Sequence, residues 1–236
     1  MDFSNELPQK TMTFSKEIAQ ADQVSSMPSK LQIVYSWSKN KATISNAENP
    51  KDQQYIVDFR TLAVTSPPII IKSAVDGSTV GTGKLHPISI DAKYEIRGRK
   101  GTLKAMKRLK TEYTYPSYAL SENDKPVSLK WVDSCGFKSW DFICMDEQSM
   151  PVARISTNVF ALKKAGIIEF MGPAASSPEL RDELIVTGVT LWMCMLLRST
   201  SFLSLVGAAF ARPGKSKVVE DSGLKGNDNY EGKLVK

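Results

Sequence analysis

Residues 178–197 read PELRDELIVTGVTLWMCMLL. Ser177 can cap this stretch and Pro178 suits the first helical position. Glu179, Asp182 and Glu183 fall at the positive end of the helix dipole. From Leu184 to Leu197 there is no charge, and only Thr187, Gly188 and Thr190 interrupt the apolar residues. A helix that is apolar on every side has no solvent face, so it must be enclosed. Its fourteen uncharged residues are short for a membrane span, which needs about 20, and fit a buried core helix.

What surrounds it is read from the rest of the chain. The 236 residues suit one domain with tails. A hydrophobic share of 42% and a charged share of 24% are those of a globular protein. Thirty-one basic against 25 acidic residues give +6, a mild bias toward acidic partners such as lipid headgroups or nucleic acid. The start, MDFSNELPQK, lacks the pattern of a signal peptide. Cys135, Cys144 and Cys194 are odd in number and widely spaced, and no Asn-x-Ser/Thr sequon occurs. These features predict a reducing, cytoplasmic setting.

Residues 1–30 are polar and read as a disordered tail, as do residues 214–236, rich in Gly, Asn and charge. Between them, residues 31–213 form the expected domain. β-Branched and aromatic residues predict strands over 31–37, 55–59, 68–75, 78–85, 93–97, 111–120, 127–132, 139–145, 151–156, 158–163 and 166–171. Residues 38–54 are turn-formers and charges and read as a loop. Asp76-Gly77 marks a hairpin turn, and residues 122–125 (ENDK) and 146–149 (DEQS) mark others. Many short strands separated by turns indicate a sandwich or barrel rather than βαβ units. Residues 199–211, STSFLSLVGAAFA, are again uncharged and could continue the helix.

The pieces FKSWDFICMDEQSMPVARI, KKAGIIEFMGP and SPELRDELIVTGVTLW carry a resemblance. A strand, an Asp-containing turn, a strand with small and basic residues, a Gly-led strand and a final apolar helix follow one another. That order resembles the carboxy-terminal half of tubby-like domains, in a fungal branch beside LURP-one-related proteins and phospholipid scramblases. It covers roughly residues 57–197 and rests on pattern rather than on an invariant motif. The resemblance implies a mainly β fold: a closed antiparallel barrel of about twelve strands around a buried C-terminal hydrophobic helix. It also implies phosphoinositide binding through basic residues, although those positions cannot be matched one by one. The calcium segment of scramblase-like relatives has no counterpart, since no Asp-x-Asp-x-Asp-Gly loop occurs.

Residues 97–110, RGRKGTLKAMKRLK, hold Arg97, Arg99, Lys100, Lys104, Lys107, Arg108 and Lys110 and no acid. On a hairpin or loop they would form a patch for anionic phospholipid, each near-surface cation adding about 1 kcal/mol. A helical 102–110 would instead be a basic amphipathic element. The plainer alternative is a solvated loop. Nucleic acid is disfavoured because no aromatic residue falls inside the run to stack bases.

Other chemistry has little support. Residues 77–84, GSTVGTGK, miss the P-loop spacing, and Leu85 stands where Ser or Thr should bind magnesium. His86 is the only histidine, so any His-based catalytic device would have to use it. Cys135 and Cys144 lack Cys-x-x-Cys spacing, so no metal site is expected. Cys194, Trp131, Trp140 and Trp192 read as core residues, Arg198 suits the helix end, and no carboxylate pair stands out. The expectation is a non-enzymatic domain without a cofactor that binds anionic membrane lipid peripherally. The alternatives are a structural or protein-interaction domain with no lipid ligand, or an integral membrane protein spanning 184–211.

Overall fold

The computed structural model describes residues 27–36, 38–60, 68–85, 89–107, 110–121, 125–133, 139–158 and 164–200. Twelve strands form one closed antiparallel barrel in the order β1-β12-β11-β10-β9-β8-β7-β6-β5-β4-β3-β2. They are β1 (Lys30–Ser36), β2 (Lys41–Asn46), β3 (Gln53–Phe59), β4 (Pro68–Ser73), β5 (Thr79–Lys84) and β6 (Ala92–Ile96). The second half comprises β7 (Arg99–Ala105), β8 (Glu112–Ser117), β9 (Val127–Asp133), β10 (Ser139–Met145), β11 (Pro151–Asn158) and β12 (Lys164–Phe170). A 3-10 turn, Gly172–Ala175, leads into helix α1 (Pro178–Thr200). Each strand pairs with its neighbours in sequence, and β1 pairs with β12 to close the cylinder.

Inside the barrel lies the helix. Every residue from Glu183 to Cys194 is buried. Its two sides touch different walls. Trp131 of β9 donates from Nε1 to Thr187 Oγ1 at 3.2 Å, while Gly81 and Gly83 of β5 face Val186 and Thr190. A Cβ added at Gly83 would sit 2.2 Å from Thr190 Oγ1, and one at Gly81 would sit 2.6 Å from Val186. The two glycines therefore let a helix backbone approach a strand, a known role for Gly within strands. The phosphate-loop likeness of residues 77–84 is thus a packing feature.

The helix start follows its sequence signals. Leu180 N donates to Ser177 Oγ at 3.2 Å, the expected N-cap. Arg181, unremarked in the sequence, is buried, donates to the Pro28 carbonyl and lies 4.2 Å over the Phe170 ring. Ordered contacts thus begin ahead of the expected boundary at residue 31. Trp131 and Trp192 are buried and Trp140 packs against the core.

Two expectations are corrected. The expected loop over 38–54 contains strand β2, whose inward Ala42 and Ile44 are buried. Within the basic run, residues 99–105 are strand β7 of a β6–β7 hairpin, so of the hairpin and loop alternatives the hairpin holds, and the helical reading is overturned for residues 102–105. Its inward residues Gly101, Leu103 and Ala105 are mostly small, and Tyr94 of β6 fills the space over Gly101. Asn158 ends β11, and the remainder of the expected 158–163 strand lies outside the described residues. So do residues 1–26 and 214–236 of the tails, residues 201–211, His86, Arg108, Cys135 and most of the 122–125 turn.

Candidate functional site

The basic run does not form one patch. β6 and β7 join through Arg97-Gly98, both at positive φ (48° and 83°), as a tight two-residue hairpin requires. β7 then runs the length of the barrel wall. Its seven residues span about 20 Å. Arg97, Arg99 and Lys100 stand at the end where α1 begins, and Lys104, Lys107 and Lys110 at the end where it leaves.

In the first group Arg97 is held by acids, while Lys100 is exposed and makes no ion pair among the described residues. Arg97 Nη2 lies 2.6 Å from Asp182 Oδ2, and its Nη1 3.9 Å from Glu179. Asp182 also accepts from Tyr55 Oη at 2.9 Å. Burial pushes the Tyr55 hydroxyl well up, and the neighbouring Asp182 carboxylate adds to the rise. Arg99 stacks 3.9 Å over the Tyr118 ring. Glu183, only 8% exposed, accepts from Ser117 Oγ, from Tyr118 N at 3.0 Å and from Ala119 N at 3.3 Å. Arg97, Arg99, Tyr118, Glu179 and Glu183 line a pocket of about 250 Å³ that also contains Lys100. The dipole explains why acids collect at this end. The hydrogen bonds show what they do there: they lock the helix start to β3, to the β6–β7 turn and to the end of β8. None of this requires a ligand.

The second group is different. Lys107 pairs with Glu112, but Lys104 and Lys110 are exposed and make no ion pair among the described residues. Sequence reasoning missed two further members. Lys84 ends β5 and Lys93 lies near the start of β6; the register sets them directly opposite each other, both exposed and on the outward face. Neither has an ion pair among the described residues. On β7, Lys104 lies one diagonal step from Lys93, since Lys93 pairs with Thr102. Lys104 faces Thr114, and Thr114 faces Lys130. The nearby acid, Asp91, accepts from Ala105 N at 2.8 Å. Like charges directly opposite on a sheet destabilise it; Glu95 and Asp91 lie on the same face two residues either side of Lys93, but neither makes an ion pair with Lys84 or Lys93 among the described residues. The sequence signal was available only as strand parity: Thr82 with Lys84, and Lys93 with Glu95, alternate with buried inward residues.

Elsewhere the chemistry is quiet. Burial pushes both the Cys144 and the Cys194 thiols up, which suppresses the reactive thiolate. Among the described residues no group of three or more His, Cys, Asp or Glu side chains could hold a metal ion. Nor is any helix among them long and apolar enough to cross a membrane. Residues 184–194 are buried inside the barrel, and Leu197 at the helix exit is exposed. No family model, curated protein or solved structure matches the chain.

Proposed function

We propose that the protein is a non-enzymatic, tubby-like barrel domain that docks peripherally on anionic phospholipid, such as a phosphoinositide, at a cytoplasmic membrane face. The observation that carries this reading is the outward set Lys84, Lys93 and Lys104 on three adjacent strands, free of carboxylate partners among the described residues. Adjacent strands are about 4.8 Å apart, so three ammonium groups can converge on one or two phosphate groups. Each contributes about 1 kcal/mol near an anionic surface. At this end the basic run supports the reading through Lys104, Lys110 and the ion-paired Lys107; Arg97 and Arg99 already have partners within the barrel, and Lys100 stands exposed at the opposite end.

The test is co-sedimentation with phosphoinositide-containing vesicles. Lys84→Gln, Lys93→Gln and Lys104→Gln together remove about 3 kcal/mol of attraction, a loss of about 10²-fold. Wild-type binding should also fall steeply with salt. A wild-type protein that ignores anionic vesicles at low salt would sink the lipid reading and favour a protein-interaction domain.

A further inference from the structure

The β7–β8 ladder fails beside the pocket at the entry end. Among the described residues the two strands pair only at Ala105↔Tyr113 and Lys104↔Thr114. Met106 N donates to the Glu112 carbonyl at 2.7 Å, so the even-numbered residues of β7 aim their backbone groups at β8. Continued, that register sets Thr102 against Pro116, which has no N–H to give. The next rung would join Lys100 to Tyr118, but Tyr118 N donates instead to Glu183 at 3.0 Å. The carbonyls of Lys100 and Thr102 therefore face β8 with no backbone donor opposite them among the described residues. A side chain crosses the seam in place of a rung: Tyr94 Oη donates to the Pro116 carbonyl at 3.4 Å. Lys100, Thr102 and Pro116 are all exposed, so the seam is open to solvent.

The pocket adds an apolar wall and a cation to this seam. Tyr94, Ile96, Pro116, Tyr118 and Ala119 supply the wall. Lys100 makes no ion pair among the described residues, although Glu95 stands opposite it in the register. Of the two acids in the lining, Glu179 is drawn toward Arg97 and Glu183 is occupied by three donors. We infer that the pocket binds a carboxylate borne on an apolar residue with its own N–H: the carboxy-terminal residue of a peptide, or an N-acylated apolar amino acid. The carboxylate meets the Lys100 ammonium, with Arg99 beside it. The N–H supplies the donor that Pro116 lacks, and the apolar side chain lies against the wall. This combines strand addition with carboxylate capture. Drug-sized ligands fill at least about 300 Å³, so the 250 Å³ here suit a single residue. The inference does not rest on lipid docking, whose lysines stand at the other end of the barrel.

The test is an NMR titration of the full chain with acetyl-Ala-Ala-Ala-Leu and with N-acetyl-leucine. The amides of residues 99–102 and 118–119 should shift. Changes to the ligand test the chemistry without touching the fold. Amidating the carboxylate should weaken binding about 10-fold, through loss of a charge-assisted hydrogen bond. N-methylating the leucine should weaken it about 5-fold, through loss of the donor. In the protein, Lys100→Gln should weaken binding about 5-fold, and Lys104→Gln at the far end should leave it unchanged. Pro116→Ala restores the missing donor, so the new amide at position 116 should exchange slowly with solvent while binding weakens. Tighter binding of the longer ligand assigns a peptide, and equal binding assigns the free N-acyl amino acid; either supports the site. Equal affinity for acid and amide, displacement by inorganic phosphate at the same concentration, or shifts confined to the exit end would overturn it. So would silence toward both ligands at millimolar concentration.

Discussion

Where helix α1 enters the barrel, Arg97, Arg181, Asp182 and Glu183 are spent on structure and Lys100 is the exception; where it leaves, a cluster of four lysines has no ion pair among the described residues. At entry, Glu183 gathers three donors, Asp182 holds Tyr55 and Arg97, and Arg181 is buried against Phe170. At exit, Arg198 anchors to one carbonyl, while Lys84, Lys93, Lys104 and Lys110 make no ion pair among the described residues. Both ends are basic in places, so positive residues alone do not mark a binding surface. What marks it is whether a carboxylate of the same chain has already answered the charge.

The comparison can be broken in several ways, and alkali offers the largest effect. Burial raises Tyr94 and Tyr115 toward the entry end and Tyr113 toward the exit, from an ordinary 10.0, and Cys144 and Cys194 from 9.0. The unfolded chain ionises at the ordinary values while the folded chain keeps these protons. Stability is therefore complete below them and lost as pH rises toward the folded values, by about 1.4 kcal/mol per unit for each group. Urea midpoints should drop steeply from pH 9 to 11, and Tyr94→Phe and Tyr113→Phe should blunt the drop similarly. A flat profile would mean a wet interior. Unequal relief would mean that the ends differ in dryness as well as in charge.

Next in size is Glu183→Ala, which leaves Ser117, Tyr118 N and Ala119 N without their acceptor and should cost about 3 kcal/mol. Arg198→Ala at the other end should cost less, about 2 kcal/mol, since it breaks one charged hydrogen bond to a carbonyl. Chemical denaturation of the two variants would decide. An equal or reversed order would contradict an entry end that is the more firmly held.

Between the ends, Gly83→Ala should cost about 1–3 kcal/mol by driving a methyl into Thr190. Thr190→Ala should be nearly neutral, because its buried hydroxyl has no hydrogen-bond partner, and it should recover part of the loss in the double variant. Full additivity in a double-mutant cycle would show that the helix does not press on β5 there.

The smallest effect on stability belongs to the exit lysines. Replacing Lys84, Lys93 and Lys104 with Gln should change stability by less than about 0.5 kcal/mol. The sign should be stabilising, because the opposition of Lys84 and Lys93 is relieved. A clear destabilisation in thermal melts would mean that these side chains do structural work and would weaken their reading as a binding surface.

The enclosed helix was legible because fourteen residues without charge admit no solvent face. Most strands were legible because their inward side chains are large and β-branched. β2 was hidden by the turn-formers on either side of KATISN. β7 was hidden because its inward positions are largely filled by Gly101, Ala105 and a ring from the neighbouring strand, so no apolar alternation survives in RKGTLKA. The candidate site was half legible. A dense basic run drew attention, but density along the chain is not proximity across a sheet. Lys84 and Lys93 are nine positions apart in sequence and meet only through the register. Glu183 looked like a dipole partner because its donors lie more than 60 residues away.

The order of the chain also dictates an order of assembly. All twelve strands precede the residue stretch that fills their interior, and the β1–β12 seam joins the two ends of the strand series. On a ribosome the strands emerge with their inner faces uncovered and the outer edges of β1 and β12 unpaired. Closure around an empty centre would leave a large void, which folding disfavours strongly. The last segment made therefore acts as the template on which the earlier ones settle, and a nascent chain lacking it exposes edges prone to aggregation. A chain stopped at residue 177 should stay aggregation-prone. If it yielded a cooperatively melting monomer, the barrel would have a way to close without its core.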